Sequence, residues 1–208
     1  MRGINTVPDN ADLYWQRPPS KDKGSDKAEM IWQSVGSSLT AWETVEETFA
    51  SLFRVFVESR SIAADRAYGA IASARGRQDA LAAAAEVFFE IHAVKDVWRE
   101  EFVLLTRHFG LASGRRNEIA HGGCVHMLME EDDFATGVFL VPSGYNTRKT
   151  HAFEQGVGDK FSSLRAKYRY TAEDISEITS RFHALQRVVN DWTMNLWVTY
   201  PSAKHEQA

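Results

Sequence analysis

Cysteine is almost missing from this 208-residue chain, and Cys124 is the only one. A single thiol excludes an intramolecular disulfide and fits a reducing compartment, so stability has to come from packing. A surplus of positive charge is missing as well. The 24 Lys and Arg against 28 Asp and Glu give a formal charge of −4. That excludes coating of nucleic acid by overall charge and requires any such contact to be local. No apolar run has signal-peptide length or approaches the ~20 residues of a membrane span, so a soluble, cytoplasmic protein is expected. There is no internal repeat. His121, Cys124 and His126 have the residue types of a zinc site but lack a second paired element, so no metal and no cofactor is expected. Cys124 has no orienting base and acid of its own, and is expected to pack at the start of a strand rather than act as a nucleophile.

What the chain does contain is core-forming material. With 44 % hydrophobic and 12 % aromatic residues, it has enough for one globular domain. Residues 1–26 carry Pro8, Pro18 and Pro19 among Ser, Lys, Asp and Gly, and read as a flexible tail. Residues 201–208 read as a second tail. From Lys27 to about Glu58, Ile31, Val35, Leu39, Trp42, Val45, Phe49, Leu52, Phe53 and Phe56 recur at three- and four-residue steps and predict a long amphipathic helix. An alanine-rich helical stretch follows from Ser61 to about Ile91, with Gly76 as the place for a break or kink. Val94, Val97, Trp98, Phe102, Leu105 and Phe109 trace a third helix that Gly110 is suited to end.

Ser113 then caps a short helix carrying Arg116 through His121, closed by Gly122 and Gly123 in the left-handed cap conformation. Past it the period changes to two. Val125, Met127 and Met129, then Val138 and Leu140, alternate around the acidic turn Glu130–Asp133 and predict a β-hairpin. Residues 142–170 read as a long loop. Thr171 and Asp174 approximate a capping box for a last helix through Ile175, Ile178, Phe182, Leu185, Val189, Trp192 and Leu196, up to Pro201. The expected fold is all-α: a helical bundle over residues 27–200, with a small β-hairpin and loop inserted at about 123–170.

The chemistry concentrates in Ser113–Gly123, Ser-Gly-Arg-Arg-Asn-Glu-Ile-Ala-His-Gly-Gly. Arg116 offers a permanent charge and a fork of donors shaped for phosphate oxygens, and His121 can give or take a proton near neutral pH. On a helix, Asn117 lies one turn from His121 and can orient it, whereas Arg116 and His121 differ by roughly 140° and about 7.5 Å of rise. The arginine must therefore reach round the helix start or meet the histidine of a second copy across a symmetric interface. A homodimer is expected.

Arg-Asn-Glu-Ile-Ala-His-Gly resembles the Arg-x-x-x-x-His signature of the HEPN superfamily (higher eukaryotes and prokaryotes nucleotide-binding). This is an all-helical fold with many metal-independent endoribonucleases. The resemblance covers the helical body, and its specific part is these seven residues. It implies that Arg116 binds and polarises the scissile phosphate, that His121 acts as general acid or base, and that Asn117 holds the imidazole. It further implies a 2′,3′-cyclic phosphate product and a toxin, phage-defence or stress role. Some toxins of the family carry, two residues past the histidine, a tyrosine that a partner nucleotidyltransferase modifies. Gly123 stands there instead, so that form of control is not expected, and the sequence identifies no antitoxin.

Two further groups bear on the site. Glu46 sits one turn from both Trp42 and Phe49, where a lone carboxylate is costly to bury, so Arg116 or Arg107 is its expected partner and Glu46 a support for the motif. Residues 145–170 hold Arg148, Lys149, Lys160, Arg165, Lys167 and Arg169 against Glu154 and Asp159, with Tyr145, Phe153, Phe161, Tyr168 and Tyr170 interleaved. Basic groups for phosphates and rings for bases are what single-stranded RNA binding uses. Arg115, Tyr145, Arg148 and Lys149 are the expected substrate-binding residues. Two other functions fit the same residues: a module that binds RNA or nucleotide without turnover, and a structural protein whose helix faces serve only dimerisation.

Overall fold

The computed structural model describes residues 8–127, 135–143 and 166–201. Of these, 68 % are helical, in six helices with one two-stranded antiparallel hairpin, as an all-α fold with a small β insertion requires. The helices are α1 (Ala11–Tyr14), α2 (Ala28–Phe56), α3 (Ile62–Gly69), α4 (Ala74–Ile91), α5 (Asp96–Ala120) and α6 (Ala172–Thr199), and the strands β1 (Gly122–Met127) and β2 (Gly137–Pro142) lie between α5 and α6. The chain forms two compact units. Unit 1 takes the residues up to Tyr14, Glu43–Ser113 and those from His183 on, and unit 2 takes Trp15–Trp42 and Gly114–Phe182.

Unit 1 is built on aromatic side chains. The α2 stripe delivers Val45, Phe49, Leu52 and Phe56, all buried. Phe56 meets Phe88 and Phe89 of α4, Phe102 of α5 and Trp192 of α6, with ring centroids 5.3–6.4 Å apart and mostly edge-on. Edge-to-face rings add about 0.5–1.5 kcal/mol per pair to their area burial. The break in the alanine-rich stretch falls at residues 70–73, not at Gly76, which lies in the first turn of α4. Serine caps decide it: Ser61 accepts from Ala63 N and Ser73 from Gly76 N, each supplying a helix start.

Gly110 does not end the third helix, and Ser113 caps nothing. α5 runs through both without interruption to Ala120. A helical glycine costs only about 1 kcal/mol, and burial of Phe109, Ala112 and Ile119 along the same helix outweighs that. Nor do Gly122 and Gly123 form a left-handed cap, since the only described glycine with positive φ is Gly137. The chain passes directly from the helix end into β1. Gly122 is required there because a Cβ would stand 2.7 Å from Leu140 Cγ.

Unit 2 carries the hairpin, with register Gly122↔Pro142, Cys124↔Leu140 and His126↔Val138. The expected strands are present, while the acidic turn lies outside the described residues. The other edge of β2 is occupied by Tyr170, bridged to Leu140, and by Ser25, bridged to Val138. β2 is thus covered on both sides, and its residues Val138–Pro142 are all buried. Residues 8–26 are accordingly no flexible tail. Trp15 is buried, stacked 5.6 Å from Phe182, and Gly24 presses so close to Val138 and Phe139 that a Cβ would meet both at 2.7 Å. Sparse apolar content hid this, because beside the buried Trp15 ring the segment is held mainly by polar contacts, the Arg17 and Lys21 ion pairs and the strand-type hydrogen bonds of residues 22–25. At the start of α6 the capping box forms as expected. Asp174 N donates to Thr171 Oγ1 (3.2 Å), and Thr171 N donates to Asp174 Oδ2 (2.8 Å).

Candidate functional site

The motif occupies the last turns of α5, and helical spacing divides it. Ile119 points to the core and is buried. Arg116 is half-buried, whereas Asn117 and His121 are exposed. Arg116 Nη1 donates to Asn117 Oδ1 at 3.1 Å. The Arg116 Nε–H is shielded from solvent with no acceptor among the described residues. Asn117 and His121 are linked only through the backbone, His121 N donating to Asn117 O at 3.1 Å. The expectation that Asn117 holds the imidazole is thus not met: its side-chain oxygen faces the guanidinium next to it. The adjacent guanidinium offers that oxygen a charge-assisted donor at short range.

The inward-facing members of the same stretch form a closed network. Glu118 Oε1 accepts from Arg17 Nε (3.0 Å) and Nη2 (2.7 Å). Its Oε2 accepts from Arg115 Nη1 (2.9 Å) and from Tyr170 Oη (2.5 Å). Tyr168 Oη donates to the Glu118 backbone carbonyl at 3.1 Å, and the two tyrosine rings stack 4.6 Å apart. Burial, and then the neighbouring Glu118 carboxylate, push both phenols well above their ordinary value. They stay protonated and act as donors.

This network corrects two expectations. Arg115, expected to bind substrate, has a side chain only 15 % exposed and is committed to Glu118 and Tyr170. Tyr168 and Tyr170, expected among the rings available for stacking, are 5 % and 0 % exposed. The other expected substrate-binding residues, Tyr145, Arg148 and Lys149, lie outside the described residues. Glu46 supports a different helix from the one expected. Its partner is Arg77 of α4, at 3.1 Å, while Arg107 pairs with Asp12. Both candidates named from sequence are engaged elsewhere, because which helix faces α2 is a tertiary fact.

Sequence reasoning missed Glu118, Arg17 and Tyr170 as a cluster. The Arg115–Glu118 spacing of one turn was readable, but nothing local signals that Arg17 arrives from a hundred residues away. Cys124 is half-buried, and burial followed by the charge of Glu29 pushes its thiol above the ordinary value, away from a primed thiolate.

Two clefts, of about 310 and 410 Å³, both lie in unit 1. The first is lined by Phe56, Val57, Phe88, Ile91 and the Glu58–His92 pair, and the second includes Arg54, Arg60 and Trp197. Neither of these two clefts includes a residue of the motif, whose Asn117 and His121 are exposed at the end of α5. Among the described residues no group of three or more His, Cys, Asp or Glu is placed to hold a metal ion, and no helix is long and apolar enough to cross a membrane. No family model, curated protein or solved structure matches this chain, so its chemistry has to be argued from the side chains at this helix end.

Proposed function

We propose that the protein is a metal-independent endoribonuclease of HEPN type, with Arg116 and His121 as its reacting pair. The observation that supports this reading is the partition of the motif. Of its charged and polar side chains, Arg115 and Glu118 are paired with each other, while Arg116 is half-buried with no carboxylate partner among the described residues and Asn117 and His121 are exposed. An arginine held only by a neutral amide among the described residues retains donors for a phosphate.

In the reaction, neutral His121 takes the proton of a ribose 2′-hydroxyl. The 2′-oxygen bonds to the adjacent phosphorus as the P–O5′ bond breaks. The 5′-oxygen leaves with a proton from the imidazolium or from water, giving a 2′,3′-cyclic phosphate. Arg116 offsets the charge growing on the phosphoryl oxygens. No metal has to generate the nucleophile, which the substrate carries in place. Because Arg116 and His121 diverge by roughly 140° around the helix, a second copy completing the site is part of the proposal.

Incubation with RNA in EDTA tests it. Cleavage leaving cyclic phosphate ends and abolished in His121→Ala and Arg116→Ala is the expected result, and intact RNA at every protein concentration rejects the reading. Binding without cleavage would instead identify a non-catalytic RNA module, a reading favoured by one observation: Asn117 does not hold the imidazole.

A further inference from the structure

Among the described residues, three arginines lie in or against the motif, Arg17, Arg115 and Arg116, and Glu118 is the carboxylate that pairs with two of them. Glu118 is itself shielded, its side chain 14 % exposed, and it takes two donors from Arg17 on one oxygen and one from Arg115 on the other. Tyr170 occupies the remaining acceptor capacity at 2.5 Å and also receives Arg115 Nη1 at 3.3 Å. Both oxygens are thus saturated, and no lone pair is left over for Arg116.

We infer that Glu118 is the specificity-determining residue of this site. By pairing with Arg17 and Arg115 it leaves Arg116 as the one of the three with no carboxylate partner among the described residues, its charge uncommitted to an internal anion. The inference rests on the reading of Arg116 as a phosphate-binding group and extends it to the substrate. A helix end presenting one arginine engages one phosphate of a single strand in a fixed register. One presenting three would bind any polyanion more tightly and in several registers, most of them unproductive for His121. Tight binding in unproductive registers lowers kcat and KM together.

The chain also couples this selection to its N-terminal segment. Arg17 follows Trp15, which is anchored on Phe182, and precedes Lys21, whose Nζ contacts Glu173 and Asp174 of α6 at 2.8 and 2.9 Å. The guanidinium is therefore delivered to Glu118 by a segment fixed on both sides. Glu118 holds it without having to recruit a freely moving side chain.

The test is Glu118→Gln, which keeps the shape and removes the charge. Binding is measured against salt on a 2′-O-methyl oligouridine, which lacks the nucleophile and cannot be cleaved. Each phosphate contact on a single strand adds about 0.7 to the slope of log K against log salt. Release of two arginines therefore steepens the slope by about 1.4, with tighter binding at low salt. Glu29→Gln, an exposed carboxylate of the same unit, controls for net charge and leaves the slope unchanged. Replacing Arg17 and Arg115 by Gln in the E118Q background returns the slope to that of the parent, which a merely structural role for Glu118 does not predict. On cleavable RNA, E118Q lowers kcat and KM together.

An unchanged slope in folded E118Q overturns the inference. If E118Q does not fold, R17Q/E118Q strands one charge fewer and is expected to steepen the slope by about 0.7, and no steepening there overturns it equally. If the parent protein neither cleaves RNA nor binds the oligonucleotide, the nuclease reading has failed. Retention on immobilised heparin then decides the charge division separately: later elution of E118Q than of E29Q supports it, and co-elution rejects it.

Discussion

Both units of this chain have apolar cores, and they differ in what is added to them. Unit 1 gathers Phe56, Phe88, Phe89, Phe102 and Trp192 into one set of ring contacts. Unit 2 has an apolar cluster of Met127, Ala135, Phe139, Val141 and Ala166 and, in addition, the Glu118 network, in which two arginines and two tyrosines tie the helix end to residues from distant parts of the sequence. Ring packing depends on volume and is indifferent to pH and salt. A charge network is conditional, because removing one member strands the others. That difference places the candidate site in the unit where a single substitution can redirect charge without emptying a core.

The comparison can be broken or sharpened by substitution. Phe56→Ala removes the ring common to four contacts and should cost about 3–5 kcal/mol in denaturant unfolding. A smaller loss would mean that the aromatic set is redundant. Glu118→Ala strands Arg115, which is largely shielded, and Arg17, whose side chain is 40 % exposed and partly solvated. An expected loss of about 2–3 kcal/mol follows, below the figure for a fully buried pair because water screens Arg17. Thr171→Ala deletes a buried cap and should cost about 1 kcal/mol by the same measurement.

Acidification tests unit 1 by a different route. His108 is fully buried, its Nε2 3.0 Å from Pro8 O and its ring 5.8 Å from Tyr14. Burial holds its pKa below the ordinary value. The folded state then binds fewer protons than the unfolded chain, so the contribution of neutral His108 is complete above about pH 6.5 and declines as pH falls below it. Stability measured from pH 7.5 to 5 should drop, and His108→Gln should flatten that part of the curve. The smallest effect belongs to the proposed reacting pair. Arg116→Ala and His121→Ala should each change stability by no more than about 0.5 kcal/mol, as exposed or half-exposed positions do. A large stability loss there would turn the motif into a structural feature.

Much of the helical architecture was legible because it follows from spacing. The α2 stripe from Ile31 to Phe56, the Thr171–Asp174 capping box and the period change into the hairpin were each readable over a few adjacent residues. Gly110 and Ser113 are misleading punctuation because the burial of Phe109, Ala112 and Ile119, which carries the helix through them, is not a local property. The site was legible as a motif and not as an arrangement. Arg116, Asn117 and His121 could be singled out from their chemistry, while the inward commitment of Arg115 depended on residues 17, 168 and 170.

Sequence alone determined the helical class, the α2 stripe, the hairpin and the residue types that could carry phosphodiester chemistry, because periodicity, caps and side-chain chemistry are local properties, whereas the extent of α5 was set by burial. Tertiary structure alone decided that Glu46 faces Arg77, that residues 22–25 run along the edge of β2 and the residue before it, and that Glu118 claims two of the three arginines at the motif among the described residues. Those outcomes depend on which distant groups share a volume shielded from water, where an unpaired charge is too costly to leave and each donor has to find its acceptor.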